Sequence, residues 1–67
     1  MTELDLMKQV IESLKSTALT CAEVTLKSSA PELCGMLIVV AQLNVDIACS
    51  LQEVVDAVEP SVAARSH

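Results

Sequence analysis

Hydrophobic residues recur at alternating spacings of three and four positions through the first third of this chain. The series consists of Leu4, Met7, Ile11, Leu14, Ala18 and Cys21. Such a series lies along one side of an α-helix and is typical of a helix that packs lengthwise against another helix. It predicts a first helix over about residues 3–28.

The second half of the chain is hydrophobic on more than one side of a predicted helix over about residues 31–59. One series consists of Leu33, Leu37, Val40, Asn44, Ile47, Leu51, Val54 and Val58. A neighbouring series consists of Cys34, Ile38, Ala41, Val45, Ala48, Gln52 and Val55. The remaining side is a polar strip of Gln42, Asp46, Ser50, Glu53 and Asp56. A helix that is apolar around most of its circumference must be buried over most of it, and one partner helix cannot cover both series.

Capping signals mark where both predicted helices begin. In the segment Thr2-Glu3-Leu4-Asp5 a hydroxyl side chain is followed three positions later by an acid, and Ser29-Ala30-Pro31-Glu32 repeats the arrangement. Side-chain oxygens at these positions accept hydrogen bonds from the free amides of a helix N-terminus, and carboxylates favour the positive end of the helix dipole. Because Pro31 disfavours helical angles at the residue before it, we expect a turn at about residues 29–31.

The segment Met36–Val40 is a short apolar run that, taken alone, resembles a buried strand. The helical repeat continues on both sides of this run, and no Gly or Asn turn follows it before Pro60. We therefore favour helix. Pro60 predicts the end of the second helix, with a frayed tail over residues 60–67.

Chain length and composition limit the fold to one small domain. A chain of 67 residues buries only about 60% of the surface that its unfolded form exposes, so a lone core would be marginal. Hydrophobic residues make up 52% of the chain without any Phe, Tyr or Trp, so burial comes from aliphatic, Met and Cys side chains. The sequence predicts an all-α, antiparallel two-helix hairpin over residues 1–67, which associates into a four-helix bundle or a larger helical oligomer. The expected oligomer interface consists of Leu37, Ile38, Val40, Ala41, Asn44, Val45, Ile47, Ala48, Leu51 and Val55.

The charge distribution argues against nucleic acid as a partner. The formal net charge is −5, and no basic residue occurs from residue 28 to residue 64. Nucleic-acid affinity depends on Lys and Arg that neutralise phosphates, and single strands additionally stack on aromatic side chains. The chain has four basic residues and no aromatic ones, so we expect no nucleic-acid partner.

Two segments bear on membranes and export. Residues 1–12 contain Glu3, Asp5 and Glu12, unlike a secretory signal with its basic start and apolar core. The longest apolar stretch, 34–41, is interrupted only by Gly35 and is far shorter than the roughly 20 residues of a membrane-spanning helix. We expect no membrane span and a cytoplasmic location, with incorporation into an intracellular assembly as the extension of that expectation.

The three cysteines do not fit a disulfide framework or a ligand motif. In a hairpin that turns near residue 29, no two of Cys21, Cys34 and Cys49 face each other closely enough for a disulfide. Their spacing matches no CxxC-type pattern. The favoured interpretation is that they are free and act as small buried hydrophobes. Binding of a soft metal between chains and intermolecular disulfides are the two alternatives.

Catalytic, cofactor-binding and metal-binding residues are not identified. His67, the single histidine, is the last residue, and one glycine is too few for a phosphate-binding loop. Neither Glu32 nor Glu53 has a histidine three residues later, as a di-iron bundle requires. We therefore expect a protein that is not an enzyme and has no cofactor.

Asn44 interrupts the first apolar series of the second helix. A single buried Asn can fix the register and the number of chains in a helical oligomer. The equally weighted alternative is a hydrated Asn at the edge of the buried surface.

The chain contains the short motifs Asp5-Leu6-Met7, Glu12-Ser13-Leu14-Lys15-Ser16 and Ser28-Ser29-Ala30-Pro31-Glu32-Leu33, with Ala22 between the second and the third. Together they resemble the spore coat protein F family of endospore-forming bacteria. The resemblance covers about residues 5–57 and implies a ferritin-like helical fold. The chain departs from the family at Cys34, where Arg is common, and at Ala48, near a common His, and it lacks the aromatic C-terminal segment. The resemblance therefore implies a minimal version with a packing role.

These observations favour a structural or assembly protein that self-associates through apolar helix faces and resembles a spore coat component. The alternative is a small helical binding module or co-chaperone that shields a helix of a protein partner. A self-assembling protein is expected to purify alone as a defined oligomer, whereas a co-chaperone is expected to be unstable without its partner.

Overall fold

The computed structural model describes residues 2–65. Helix α1 spans Glu3–Lys27, and its N-terminus is a capping box. The Asp5 amide donates to the Thr2 hydroxyl over 3.1 Å, and the Thr2 amide donates to the Asp5 carboxylate over 3.2 Å. The hydrogen bond from the Thr2 amide is the main cause that lowers the pKa of Asp5 below its ordinary value. The predicted start of the first helix is confirmed.

Helix α2 spans Pro31–Arg65, after a short turn. Its first hydrogen bond runs from the Cys34 amide to the Ala30 carbonyl over 3.1 Å, which places Ala30 at the N-cap. The Ser28 hydroxyl accepts from the Ala30 amide over 3.1 Å. The predicted capping residue Ser29 is therefore not the N-cap: Ala30 holds that position directly before Pro31, and the Ser28 hydroxyl bonds within the turn.

The predicted end of the second helix at Pro60 is wrong. Helix α2 continues through Pro60 to Arg65, so the predicted frayed tail is helical as far as the structure describes it, and His67 lies outside the described residues. Proline has helical φ, and its ring removes one amide that would otherwise bond the Asp56 carbonyl. Asp56 and Pro60 are both exposed, so water can bind that carbonyl.

The two helices pack against each other as a hairpin, and the core lies between them. Ile11, Ala48 and Val55 are 2%, 3% and 0% exposed. Leu4, Met7, Leu14 and Leu51 pack around them, half-buried. The predicted hydrophobic series of α1 therefore faces α2. The segment Met36–Val40 is helical, which excludes the strand alternative.

The surface of α2 that faces α1 takes residues from both predicted series. Its buried or half-buried members are Cys34, Leu37, Ala41, Asn44, Ala48, Leu51 and Val55, followed by Glu59 and Val62 toward the end of the helix. The predicted spacing was right, but the line of contact runs between the two series. The line of contact contains three small residues, Ala41 and Ala48 on α2 and Ala18 on α1. Small residues let two helices approach closely, while larger neighbours flank the contact.

Polar contacts connect the two helices at both ends. The Lys8 ammonium lies 3.1 Å from the Glu59 carboxylate near the open end of the hairpin. Near the turn, the Cys34 thiol donates to the Thr25 carbonyl over 3.5 Å. The hairpin is a slab of 55 × 18 × 12 Å between Cα extremes, so it presents two broad faces to its surroundings.

Candidate functional site

Exposed hydrophobic surface is the main chemical feature of this hairpin. Fifteen large hydrophobic side chains among the described residues are more than 40% exposed. Soluble monomers rarely leave large contiguous apolar patches open, and such patches mark interaction sites. The candidate functional site is therefore a surface, and its two broad faces differ in character.

The first broad face, here called the uncharged face, is apolar along the whole hairpin. Its large side chains are between 41% and 67% exposed. They are Leu6, Val10, Val24, Leu33, Met36, Val40, Leu43, Ile47, Val54 and Val58. The face carries no charged residue between Leu6 and Val24 on α1, or between Leu33 and Val58 on α2. Ser13, Thr17, Thr20 and Ser50 are its polar members.

The register of the buried series explains why these residues share one side. Each residue of the uncharged face directly precedes a residue that faces the other helix, as Val10 precedes Ile11 and Ile47 precedes Ala48. One step along an α-helix is a rotation of about 100°. Because the two helices are antiparallel, the preceding positions of both helices lie on the same side of the slab.

The second broad face, here called the groove face, is apolar only near the turn. There it forms an open groove of ≈ 670 Å³ between the helices. The hydrophobic lining consists of Ala18, Leu19, Ala22, Leu26, Leu37, Ile38, Ala41 and Val45. Lys15 and Gln42 are also part of the lining. Each lining residue either faces the other helix or comes directly after a residue that does.

Toward the open end, the groove face becomes polar. The polar residues that directly follow inward-facing residues there are Asp5, Lys8, Glu12, Lys15, Gln52 and Asp56; Cys49 and Pro60 also occupy such positions. The Lys8–Glu59 ion pair spans this end. The Gln52 amide donates to the Asp56 carboxylate over 3.0 Å. Solvent therefore covers this half of the groove face, whereas the uncharged face has no comparable polar half.

The ten predicted interface residues fall into three groups. Ala48 and Val55 are enclosed within the hairpin, so the surface available to a second chain does not include them. Leu37, Ala41, Asn44 and Leu51 are half-buried against α1. The other four are exposed: Val40 and Ile47 on the uncharged face, Ile38 and Val45 on the groove face.

Sequence reasoning missed the contribution of α1 to the exposed apolar surface. Leu6, Val10 and Val24 are 49%, 48% and 41% exposed, and they extend the uncharged face across the width of the hairpin. The available signal was their position, directly before Met7, Ile11 and Thr25 in the α1 repeat. The prediction used only the α1 series that faces α2 and did not include the neighbouring row of Leu6, Val10 and Val24.

Asn44 is half-buried, and its side-chain amide donates to the Val40 carbonyl of its own helix over 2.8 Å. This bond lies within α2 and does not reach α1. On the predicted polar strip, the Gln42 amide donates to the Asp46 carboxylate over 2.9 Å. Both contacts are local and satisfy polar groups along the helix that they belong to.

The three cysteines are free and differ in exposure. Cys21 is buried, Cys34 is half-buried and Cys49 is exposed, so the interpretation as buried hydrophobes holds for Cys21 and in part for Cys34. Within residues 2–65, no group of three or more His, Cys, Asp or Glu side chains lies close enough together to hold a metal ion.

Helix α2 is long and apolar enough to cross a membrane, judged by length and composition alone. Gln42, Asn44 and Asp46 interrupt the apolar residues of α2, so its longest unbroken apolar stretch is much shorter than a membrane span. Core helices of soluble proteins also meet the length and composition criteria. The property therefore shows how apolar α2 is without showing what covers it.

Comparison with known proteins does not add a relative. No family model, no curated protein and no solved structure matches this chain.

Proposed function

We propose that this chain is a structural or assembly protein whose hairpins associate through exposed apolar helix faces, at least into a four-helix bundle. One observation carries the proposal: most large hydrophobic side chains of α2 remain exposed after α1 has packed against it. Residues 2–65 form two helices, and neither covers these side chains. The helices of a second chain can cover them.

The magnitude of the hydrophobic term supports association. Full burial of a Val, Leu or Ile side chain contributes about 1.5–3 kcal/mol, and the ten large side chains of the uncharged face are between 41% and 67% exposed. Covering that face contributes on the order of 10 kcal/mol per chain before the entropic cost of association. A contribution of this size is comparable to the whole stability of a small domain.

We propose that this bundle has a packing role in the cytoplasm and no catalytic role. The resemblance to the spore coat protein F family extends the proposal to a coat or a comparable shell, and that extension stays a prediction. In a bundle, α2 has helices as neighbours in place of lipid. Asp46, near the middle of α2, favours this arrangement because a charged side chain at the centre of a bilayer is costly.

Thermal unfolding at several protein concentrations tests the proposal. When folding is coupled to association, the melting temperature rises with protein concentration. We expect the helical signal in circular dichroism to melt at higher temperature as the chain concentration is raised from micromolar to millimolar. A cooperative transition with a midpoint independent of concentration would show that the hairpin is stable alone and would contradict the proposal.

The groove supports a second candidate function, a small binding module that shields a helix of another protein. Its volume of ≈ 670 Å³ and its mostly apolar lining suit the apolar side of an amphipathic helix. A binding module of this type is expected to aggregate or lose helicity when purified alone. The same melting experiment therefore separates the two candidates, since a defined, helical, concentration-stabilised species excludes the second.

A further inference from the structure

The uncharged face is the surface of this hairpin best suited to a second copy of the chain. Building on the proposed function, we propose that a second copy covers this face in an antiparallel arrangement, with α2 packed on α2 of the second copy. In this arrangement Ile47 lies close to the two-fold axis. The proposal selects one of the two broad faces and one orientation.

The distribution of charge selects the face. Covering the groove face over its full length would remove water from Glu12, Asp56 and the Lys8–Glu59 ion pair. Taking charged groups out of water is expensive unless every one of them gains a partner. The uncharged face carries only hydroxyl side chains as polar members, and these can bond to the carbonyls of their own helix. Thr17 and Thr20 already do so, over 2.9 Å and 3.1 Å.

The dimensions of the face match those of a stable interface. The broad side of the slab measures 55 × 18 Å between Cα extremes, and its apolar rows extend from Leu6 to Val24 and from Leu33 to Val58. A stable complex of standard size buries about 800 Å² on each partner. A second hairpin laid along this face covers an area of that order, and a single added helix covers about half of it.

On the uncharged face, α2 has more large hydrophobic side chains than α1, and this difference favours α2 packed against α2 of the second copy. On the uncharged face, α1 contributes three large hydrophobic side chains, interrupted by Ser13, Thr17 and Thr20. Helix α2 contributes seven, and two of them, Met36 and Leu43, are more than half exposed. Packing α2 opposite α1 of the second copy at the same level would set Leu43 and Ile47 against Thr20 and Thr17, whereas α2 opposite α2 sets apolar rows against each other.

The contacts at the ends of the hairpin locate the two-fold axis. Lys8 and Glu59 lie at one level along the hairpin, and Thr25 and Cys34 lie at another. The point midway between these levels falls beside Ile47 on α2. A two-fold axis at this level overlaps the two hairpins fully, sets Ile47 against its own copy, and sets Val40 against Val54 of the second copy.

The acids of α2 favour the antiparallel orientation over a parallel one. In a parallel pair, Asp46 and Glu53 would each lie at the level of their own copies, beside the contact. No basic residue occurs on α2 before Arg65, so nothing on that helix would offset the repulsion. In the antiparallel pair about Ile47, Glu53 lies twelve residues, or about 18 Å along the helix, from the level of its own copy, which weakens its repulsion. Asp46 lies one residue from the axis and stays within about 3 Å of the level of its copy, so the preference comes from Glu53.

Cross-linking through single cysteines tests the arrangement. Four chains are made in a background with Cys21, Cys34 and Cys49 replaced by Ala. They carry Ile47→Cys, Val40→Cys, Val54→Cys or, on the groove face, Leu19→Cys. A disulfide forms only between Cα atoms within about 7 Å of each other. On mild oxidation, Ile47→Cys is expected to form a covalent dimer, and Val40→Cys alone at least roughly tenfold less. An equimolar mixture of Val40→Cys and a mass-tagged Val54→Cys is expected to form the mixed dimer.

Each other outcome has a definite meaning. If Val40→Cys alone cross-links as readily as Ile47→Cys, the α2 helices are parallel and the inference is wrong. If Leu19→Cys on the groove face cross-links best, the wrong face was chosen. In both cases the chain still self-associates, so the proposed function stands. If sedimentation equilibrium of the unmodified chain shows a monomer, both the inference and the proposed function fail.

A second pair of variants retains the native cysteines and needs no cross-linking. Ile47→Glu and Ile38→Glu place the same charge on opposite faces of α2, at side chains that are 49% and 59% exposed. Ile47→Glu is expected to weaken dimerisation on the order of hundredfold or more, because a buried charge without a partner is strongly destabilising. Ile38→Glu is expected to leave the dissociation constant nearly unchanged.

If both variants weaken dimerisation equally, the choice of face is wrong. This conclusion holds even if circular dichroism shows that monomeric Ile47→Glu is unfolded.

A lipid surface is the other occupant to consider. If the unmodified chain is a helical monomer that co-sediments with phosphatidylcholine vesicles, the uncharged face binds lipid and the proposal of a second copy is wrong.

Discussion

The Lys8 ammonium on α1 lies 3.1 Å from the carboxylate of Glu59 on α2 and forms an ion pair with it. Glu59 directly precedes Pro60. The pair connects the start of the first helix to a segment of α2 that sequence reasoning placed at the end of the helix. It also makes the open end of the groove face polar. A single contact between distant parts of the chain thus contributes to the difference between the two faces.

We predict that this ion pair stabilises the fold only slightly. Both side chains are about half exposed, and exposed ion pairs contribute about 0.2–1 kcal/mol. A double-mutant cycle of Lys8→Ala and Glu59→Ala, measured by urea unfolding, is expected to give a coupling energy in that range that falls at high salt. The Glu12–Lys15 pair within α1, at 3.4 Å, is the control. A coupling above about 2 kcal/mol would indicate an environment far less solvated than the structure has.

The fold was largely predictable from the sequence, because each helix carries a long repeat and a local start signal. The capping box at Thr2 and Asp5 and the helical position of Pro31 are local features, and the structure has them. The end of α2 was not predictable from local rules, since the helix tolerates Pro60 only where its lost hydrogen bond faces solvent.

The assignment of apolar residues to surfaces was harder to predict. On α2 almost every turn offers hydrophobic side chains in several directions, so the repeat alone does not show which row faces α1. The small residues Ala41 and Ala48 lie on the line of contact, and residue size, more than hydrophobicity, marks that line. Leu6, Val10 and Val24 share one side of the hairpin with exposed residues of α2 because the two helices are antiparallel, and this relationship could be assigned only once the direction of α2 was known.

We predict a large effect of truncating the buried core and a small effect of truncating the exposed surface. Ile11 is 2% exposed and Leu19 is 67% exposed on the same helix. Ile11→Ala is expected to reduce the free energy of unfolding by roughly 2–5 kcal/mol, measured by urea denaturation. Leu19→Ala, the matched control, is expected to change it by less than about 0.5 kcal/mol. Similar losses for both variants would mean that the groove face is as buried as the core.

We predict that Asp5 contributes stability that depends on pH. The hydrogen bonds from Thr2 lower the pKa of Asp5 in the folded chain below its unfolded value of 3.8. The contribution is therefore fully present above the unfolded pKa and is lost as the pH falls through the folded pKa. The melting temperature of Asp5→Asn is expected to lie below that of the unmodified chain at neutral pH and to converge with it in strong acid. A difference that is constant with pH would contradict this assignment.

We predict that the cysteines are not needed for assembly. The three thiols are free, and Cys49 is exposed, so replacing all three by Ala is expected to leave the oligomer intact. Some stability is expected to be lost, mainly from the smaller side chain at the buried position of Cys21. Elemental analysis and circular dichroism check this prediction. Loss of stoichiometric metal together with unfolding would show that the thiols are ligands.

The molar mass of the purified chain, measured by light scattering behind a size-exclusion column, tests the central claim most directly. One chain has a mass of 7.1 kDa. Self-association through the apolar faces predicts a defined, helical species of at least twice that mass at micromolar concentration. A folded, monodisperse species of one chain mass at the same concentration would contradict it.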